Sequence, residues 1–291
     1  MDKILMERNA PLAPLTTFGI GGPADLLVYP ESEQELARWL RSGDVSLVLG
    51  GGSNLLVSDK GVRGVVLCLS KMFKAVTFAP PSEGQVIVRA QAGAHLGRIV
   101  AEAYKRSLAG LEFAMGIPGT LGGALVMNAG AKDGEMKNVV EHVRVMKRDG
   151  QILEMNASDC GFEYRKSSFP EGSVILDCAI RLAEGDKEKI HEKMRSNQLA
   201  RKASQPLDMQ SAGSVFKNPA GDFAGRLIEA AGLKGVSIGG AMVSEKHANF
   251  IVNLGWAKAS DVLAVMETVE KKVLETAGIR LEREIRLAGA F

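Results

Sequence analysis

The chain has 291 residues, room for about two domains, and its 36 basic and 34 acidic side chains leave a net charge of only +2. So even a balance provides no basic field for nucleic acid, and an anionic ligand must be held by local groups. The three cysteines, Cys68, Cys160 and Cys178, form no C-x-x-C pair, and the four histidines, His95, His142, His191 and His247, show no ligand spacing, so no metal site is expected. Sparse thiols suit a reducing compartment, and residues 1–11 carry charges without an apolar leader core, so a cytoplasmic protein is expected.

In chain order, residues 31–41 predict a helix, with Ser32 and Glu35 as a capping box, Leu36, Trp39 and Leu40 on one face, and Gly43 as its stop. Residues 45–49 and 65–69 predict compact apolar strands, with a glycine break at 50–54 and extended structure resuming at 55–57. Residues 86–90 predict a strand and 96–107 a helix whose stripe is Leu96, Ile99, Val100, Ala103 and Tyr104, ended by Gly110. Asp149-Gly150, between apolar runs at 139–147 and 151–155, signals a hairpin, and 173–182 predicts a further strand. Residues 186–204 are helical in pattern, highly charged and poor in bulky apolar side chains, as in a surface helix joining two domains. Beyond it, 222–231 predicts a short helix and 241–244 and 248–253 predict strands. Residues 260–277 predict an amphipathic helix capped by Ser260 and stopped by Gly278, and 279–287 a closing strand. The texture is α+β, without internal repeats or low-complexity tracts.

Residues 113–131 carry no charge over nearly a membrane-spanning length, but Pro118 and five glycines would leave backbone groups unpaired in lipid, so no membrane span is expected. Gly19-Ile20-Gly21-Gly22-Pro23-Ala24 matches G-x-G-x-x-A. A dinucleotide fingerprint of that kind follows a strand and opens a helix, whereas here a strand-like run follows at 25–29. Gly50-Gly51-Gly52-Ser53-Asn54 is a stronger candidate. Three consecutive glycines let backbone N–H groups approach a ligand, Ser53 and Asn54 add donors, and a plain turn needs fewer glycines. The run from Gly116 to Gly123, continued to Asn128-Ala129-Gly130-Ala131, offers a pyrophosphate a surface of backbone amides without a Lys or Arg cluster; glycine-rich packing is the other reading. Two separate glycine loops outside a Rossmann context point to a dinucleotide held between two subdomains.

Three polar residues stand where strands or turns expose them. Arg165 lies in Glu163-Tyr164-Arg165-Lys166-Ser167-Ser168, Ser214 in Ser211-Ala212-Gly213-Ser214-Val215-Phe216-Lys217-Asn218-Pro219, and Glu284 in Leu281-Glu282-Arg283-Glu284-Ile285-Arg286-Leu287. Taken singly, a solvated arginine, a buried strand serine and a charged outer face account for them as well. In a period-two strand Glu282, Glu284 and Arg286 would share a face. His247, in Glu245-Lys246-His247-Ala248-Asn249, suits either a substrate contact or a surface turn.

Together the segments TTFGIGGPAD, LGGGSNLLV, GIPGTLGGALVMNAGA, FEYRKSSF, SAGSVFKNP, LIEAAGLKG, SEKHANFIVN and LEREIRLAG, in this order from residue 16 to 289, resemble the UDP-N-acetylenolpyruvoylglucosamine reductase (MurB) family. The resemblance implies an α+β fold: a two-subdomain FAD-binding module of the vanillyl-alcohol-oxidase (PCMH) type plus a C-terminal α+β substrate-binding domain. Its parts would be residues 1–71 joined by 285–291, then 72–192, then 193–284. It implies tightly bound FAD, NADPH as electron donor, and reduction of UDP-N-acetylglucosamine enolpyruvate to UDP-N-acetylmuramate for peptidoglycan. A monomer is expected, with no nucleic-acid partner. The family's catalytic arginine falls on Arg165, its serine proton donor on Ser214 and its catalytic glutamate on Glu284. FAD contacts are expected from Gly50, Gly51, Gly52, Ser53, Asn54 and Leu55, and from Gly116, Pro118, Gly119, Thr120, Gly122, Gly123, Asn128 and Gly130. Tyr164, Lys217, Asn218 and His247 fall in segments that line the family's substrate pocket. Residues 173–198 leave no room for the tyrosine-bearing insertion of longer members, so the chain resembles the shorter class.

The implied chemistry suits these residue types. Hydride from flavin N5 adds to the enolpyruvyl methylene carbon, and negative charge builds on the adjacent carbon and its carboxylate. A fixed Arg165 would stabilise that charge by roughly 3–4 kcal/mol, Glu284 serves best if it carries or shares a proton, and Ser214 protonates the second carbon, where proximity offsets the weak acidity of a hydroxyl. Two other readings stay open: a different PCMH-type flavin oxidoreductase, and a non-catalytic nucleotide-sugar-binding protein on the same scaffold.

Overall fold

The computed structural model describes residues 5–291. Residues 1–4, where the charged start of the chain and the first expected FAD-binding part begin, lie outside the described residues. Contacts divide the chain into two compact units. The first holds the described residues up to Glu7, Leu27–Gly51 and Val65–Arg201; the second holds Arg8–Leu26, Gly52–Gly64 and Lys202–Phe291. The last crossing falls inside the Lys187–Ser204 helix, the charged helix expected to join two domains.

The first unit is built on an antiparallel sheet in the order Ile152–Asn156, Val140–Met146, Val174–Glu184, Gln85–Gln91 and Val76–Phe78, with Leu108–Ala109 also pairing with Val174–Glu184. Alternation is plain in Gln85–Gln91, where Val86, Val88 and Ala90 are buried and the residues between them are not. The hairpin turns at Asp149-Gly150 as expected, with Gly150 in the left-handed region at φ +82. Helix Leu96–Lys105 buries Leu96, Ile99, Val100 and Ala103, while Tyr104 lies against the His191 ring at 5.7 Å.

Helix Glu33–Ser42 starts where Ser32 Oγ accepts the Glu35 N–H at 3.2 Å and ends at Gly43, φ +80. The Glu35 carboxylate accepts the Glu31 N–H at 2.9 Å, so it reaches one residue beyond the cap. Arg144 ties this helix to the sheet with a forked guanidinium, Nη1 on Asp177 at 2.5 Å and Nη2 on Glu33 at 3.1 Å. The charge-free stretch forms no long helix: its one α-helix, Leu121–Val126, has six residues. Among the described residues no helix is long and apolar enough to cross a membrane.

The second unit has its own core, in which Phe18, Leu56, Phe216, Ile228, Val243 and Ile251 surround the helix Ala259–Ala277. That helix buries Val262, Val265, Met266, Val269 and Val273, each stabilising by roughly 1.5–3 kcal/mol when fully removed from water. Its C-terminal stop at Gly278, φ +67, is as expected. Its cap is not Ser260. The Asp59 carboxylate, 200 residues away in sequence, accepts the Ala259 N–H at 2.7 Å, and its other oxygen accepts the Ser260 N–H at 3.0 Å. The expected strand at 279–287 is shorter too. Only Arg286–Ala288 is regular, parallel to Leu55–Val57, because 282–284 bonds instead to the irregular segment around Val215. Leu5–Pro11 and Val76–Phe78 escaped the sequence pattern: the first is exposed at all but one position and the second has three residues. The glycines at 19–22 precede strand Pro23–Tyr29, so no Rossmann turn forms. All three cysteines are buried thiols, and burial pushes Cys160 up to about 11.

Asp59→Ala removes the distant cap and leaves two N–H groups at the start of the helix without their carboxylate. We expect a loss of about 1–2 kcal/mol in urea unfolding, with Asp59→Asn recovering part of it; an unchanged midpoint would remove Asp59 from this role.

Candidate active site

Two of the expected glycine loops meet within the first unit. A Cβ at Gly50 would stand 2.6 Å from Thr120 Oγ1, and one at Gly51 2.5 Å from Gly119 Cα, so loop-to-loop packing already demands glycine at both positions. Gly116 and Gly119 hold φ +78 and φ +110. Against this packed surface Thr120 is 1% exposed, and its Oγ1 has no hydrogen-bond partner. A buried hydroxyl left in that state costs about 1–3 kcal/mol, which a ligand oxygen would relieve. The side chain of Arg201 lies beside Gly116, where a Cβ would come 3.2 Å from Nε, and that buried Nε is also without a partner. Burial pulls the Arg201 guanidinium below the usual arginine range.

The other loop residues divide by what they touch. Gly122 packs on Ala92 and donates its N–H to the Ala92 carbonyl at 2.8 Å. Gly123 has Thr120 Oγ1 as its near neighbour, 3.8 Å from a Cβ. Gly130 packs on Glu135. Pro118 is exposed. The Asn128 side chain is fully buried and bonds within the protein, to Lys137 N, Glu135 Oε2 and Glu163 O. In the second unit Gly52 is glycine because a Cβ would stand 2.0 Å from the Leu15 carbonyl. Ser53 is half-buried and Leu55 buried. Asn54 donates Nδ2 to the Glu284 carbonyl at 3.1 Å and accepts the Arg286 N–H at 3.0 Å, tying its loop to the closing segment.

Arg165 sits in a two-residue turn closed in both directions by Glu163 and Lys166, at 3.0 and 3.3 Å. Its own φ is +56, a region arginine rarely adopts and one that must be held by its surroundings. The guanidinium donates from Nη2 to the Gly130 carbonyl at 3.1 Å and stands 5.1 Å from the ring of exposed Tyr164. Ser167 Oγ pins the following residues to the Val126 carbonyl at 2.8 Å. An ordinary solvated arginine needs none of these constraints.

In the second unit the Ser214 and Glu284 segments run together. Glu284 N–H donates to the Val215 carbonyl at 2.7 Å and Lys217 N–H to the Glu282 carbonyl at 2.8 Å. Ser214 and Glu284 are both half-buried. Lys217 Nζ lies 2.5 Å from Glu282 Oε1, so Glu282 engages the lysine rather than merely facing water. Asn218 Oδ1 accepts the Ala224 N–H at 3.0 Å at the start of helix Ala224–Ala230. His247 packs its ring on Phe250 at 4.9 Å and accepts the Asn249 N–H on Nδ1 at 3.2 Å. Burial holds its imidazole below the usual histidine range, so the neutral ring carries its proton on Nε2 and can donate from there.

Two residues important to these arrangements left no mark in the sequence pattern. Asn249 is buried and grips the serine segment: its Oδ1 accepts the Phe216 N–H at 3.0 Å, its Nδ2 donates to the Phe216 carbonyl at 2.8 Å, and its own carbonyl accepts the Val215 N–H at 2.9 Å. A side-chain amide mimicking a strand partner has no periodicity to reveal it. Arg201 reads as one more charge on a solvated helix until the helix is placed beside Gly116. Among the described residues no group of three or more His, Cys, Asp or Glu side chains is arranged for a metal ion.

Residues 205–288 match the family model described as UDP-N-acetylenolpyruvoylglucosamine reductase, C-terminal domain, and residues 24–156 match that of an FAD binding domain. The chain is 47% identical over 288 residues to the UDP-N-acetylenolpyruvoylglucosamine reductase of Anaeromyxobacter sp. (strain Fw109-5), with 98% of this chain and 89% of that protein covered. It is 48% identical over 286 residues to that of Caldanaerobacter subterraneus subsp. tengcongensis, covering 97% and 93%. The crystal structure of UDP-N-acetylenolpyruvylglucosamine reductase (MurB) from Thermus caldophilus matches with a TM-score of 0.84 and 39% identity over 99% of both chains. On similarity of this degree along nearly its whole length, the chain belongs to the UDP-N-acetylenolpyruvoylglucosamine reductase family.

Proposed function

We propose that Arg165, Ser214 and Glu284 carry out the reduction of UDP-N-acetylglucosamine enolpyruvate to UDP-N-acetylmuramate in this chain, an FAD-dependent oxidoreductase of peptidoglycan synthesis with NADPH as reductant. The observation that carries the reading is the backbone pairing of the Ser214 and Glu284 segments, through the 2.7 Å bond from Glu284 N–H to the Val215 carbonyl, on a segment gripped by Asn249. A serine and a carboxyl group far apart in sequence are thereby held on neighbouring stretches of backbone.

The residues present fit FAD. The buried, unpartnered Thr120 Oγ1 and Arg201 Nε beside Gly50, Gly51, Gly116 and Gly119 form a neutral-to-cationic surface for its anionic part. Bound FAD, recharged by NADPH, supplies the hydride that saturates the enolpyruvyl double bond. Arg165, held at φ +56, offers a fixed positive charge to the substrate carboxylate as negative charge grows there. Ser214 gives its hydroxyl proton to the carbon next to that carboxylate. Glu284 supports this transfer, and Lys217 and Asn218, three and four residues beyond Ser214, bind the nucleotide-sugar diphosphate with His247 donating from Nε2.

In stopped-flow experiments Ser214→Ala should leave flavin reduction by NADPH near normal and slow reoxidation by the enolpyruvyl UDP-sugar by roughly 10²–10⁴-fold. Glu284→Gln should act on the same half-reaction. Equal slowing of both halves would remove Ser214 from the proton-donor role. Thr120→Val, nearly isosteric, should raise the FAD dissociation constant about tenfold, in line with a lost hydrogen bond of about 1.4 kcal/mol, and Arg201→Gln should raise it further. Unchanged affinity in both variants, measured by flavin fluorescence, would place the cofactor's anionic part elsewhere.

A further inference from the structure

We infer that Asn128 is a positioning residue for Arg165, setting the guanidinium from both ends, and not chiefly a contact to FAD; the functional part of this inference rests on the proposed role of Arg165. Asn128 has no exposed surface and adopts φ +40, a conformation asparagine tolerates better than other non-glycine residues. Three of the four hydrogen-bonding positions on its amide are filled by protein groups. Oδ1 accepts the Lys137 N–H at 2.9 Å, and Nδ2 donates to Glu135 Oε2 at 2.9 Å and to the Glu163 carbonyl at 3.0 Å. Neither polar atom of this side chain is without a partner as Thr120 Oγ1 is.

The placement of those bonds gives them their meaning. Glu163 lies two residues before Arg165 and supplies both bonds that close the arginine's turn. Gly130 lies two residues after Asn128, and its carbonyl is the acceptor of the Arg165 guanidinium. One amide therefore fixes the turn from which the arginine springs, while its own backbone fixes the oxygen on which the arginine rests. Glu135 and Lys137 hold the amide from the far side, and they are joined to each other by an ion pair at 2.6 Å. Asparagine meets three demands at once: left-handed backbone, two donors and an acceptor. Aspartate would keep the conformation and the acceptor but turn an oxygen toward the Glu163 carbonyl and the Glu135 carboxylate. Glycine would keep the conformation and lose every bond.

The test uses the FAD-loaded full chain as Asn128→Gly and Asn128→Asp. Both should keep the FAD dissociation constant, the flavin spectrum and the NADPH half-reaction within about threefold of wild type, and slow reoxidation by the enolpyruvyl substrate by roughly 10²-fold through misplacement of the guanidinium. Amide hydrogen exchange at residues 163–168 should accelerate. Asn128→Gly combined with Arg165→Ala should be no slower than Arg165→Ala alone, since a residue acting through another adds nothing once that other is gone. Loss of FAD affinity, equal slowing of both half-reactions, or multiplying effects in the double variant would overturn the inference. If Arg165→Ala alone leaves reoxidation intact, the assignment of Arg165 falls and takes the inference with it; unchanged exchange at 163–168 in the Asn128 variants overturns the inference by itself. Should the Asn128 variants not fold, Ser167→Ala, which releases the same turn from the Val126 carbonyl, must reproduce the selective loss in reoxidation, and a normal rate there would count against it.

Discussion

Backbone that leaves regular structure inside a protein must still satisfy its N–H and carbonyl groups, and both segments proposed to carry the chemistry depend on how that is done. In the first unit the Arg165 turn is neither strand nor helix, and its Glu163 carbonyl is met by the amide of Asn128. In the second unit the segment after Ser214 forms only isolated bridges, and the backbone of Phe216 is met on both sides by the amide of Asn249. A side-chain amide carries the same donor and acceptor as a peptide group, so it substitutes for a strand without requiring one. Each such bond is worth about 1 kcal/mol net, but a buried partner left unpaired costs about 1–3 kcal/mol. The two asparagines therefore fix geometry more firmly than their number of bonds would suggest.

The glycines answer two demands that look alike in sequence. At Gly50, Gly51 and Gly52 the immediate reason for glycine is that another stretch of chain passes too close for a Cβ. The consequence for binding is indirect. By packing against Gly119 and Thr120, Gly50 and Gly51 bury the threonine hydroxyl without giving it a partner. In the proposed reading, recognition of an anion falls to that hydroxyl, the Arg201 guanidinium and nearby amides. Such an arrangement would let a protein with a net charge of +2 hold a charged cofactor without a field of lysines.

Long-range polar contacts recur in the scaffold. Arg144 holds Glu33 and Asp177 together, Asp59 caps a helix that begins 200 residues later, and Asn54 holds the carbonyl of Glu284. Each joins residues far apart in sequence, and such directional bonds orient a packing that hydrophobic burial alone leaves unoriented.

Much of the fold was legible in sequence because it depends on local rules. Ser32 and Gly43 bound a helix, Asp149-Gly150 turns a hairpin, and Val86, Val88 and Ala90 alternate into a core. The motifs around Arg165, Ser214 and Glu284 were legible as a set, since their order and spacing match a family, while each alone resembles ordinary surface or strand. Tertiary structure decided the rest. It gave the helix cap to Asp59 instead of Ser260, shortened the closing strand to Arg286–Ala288 because the neighbouring residues bond to the serine segment, and held Arg165 in a left-handed turn. It also bonded the amide of Asn128, expected among the FAD contacts, to groups within the protein, and gave Asn249 and Arg201, unremarkable in sequence, a buried grip on Phe216 and a buried Nε with an unmet bond. The physical reason is common to all of these. Periodicity and turn chemistry act over a few residues and are written in the sequence, whereas the partner of a buried donor or acceptor is chosen by whichever group the packed chain brings within about 3 Å.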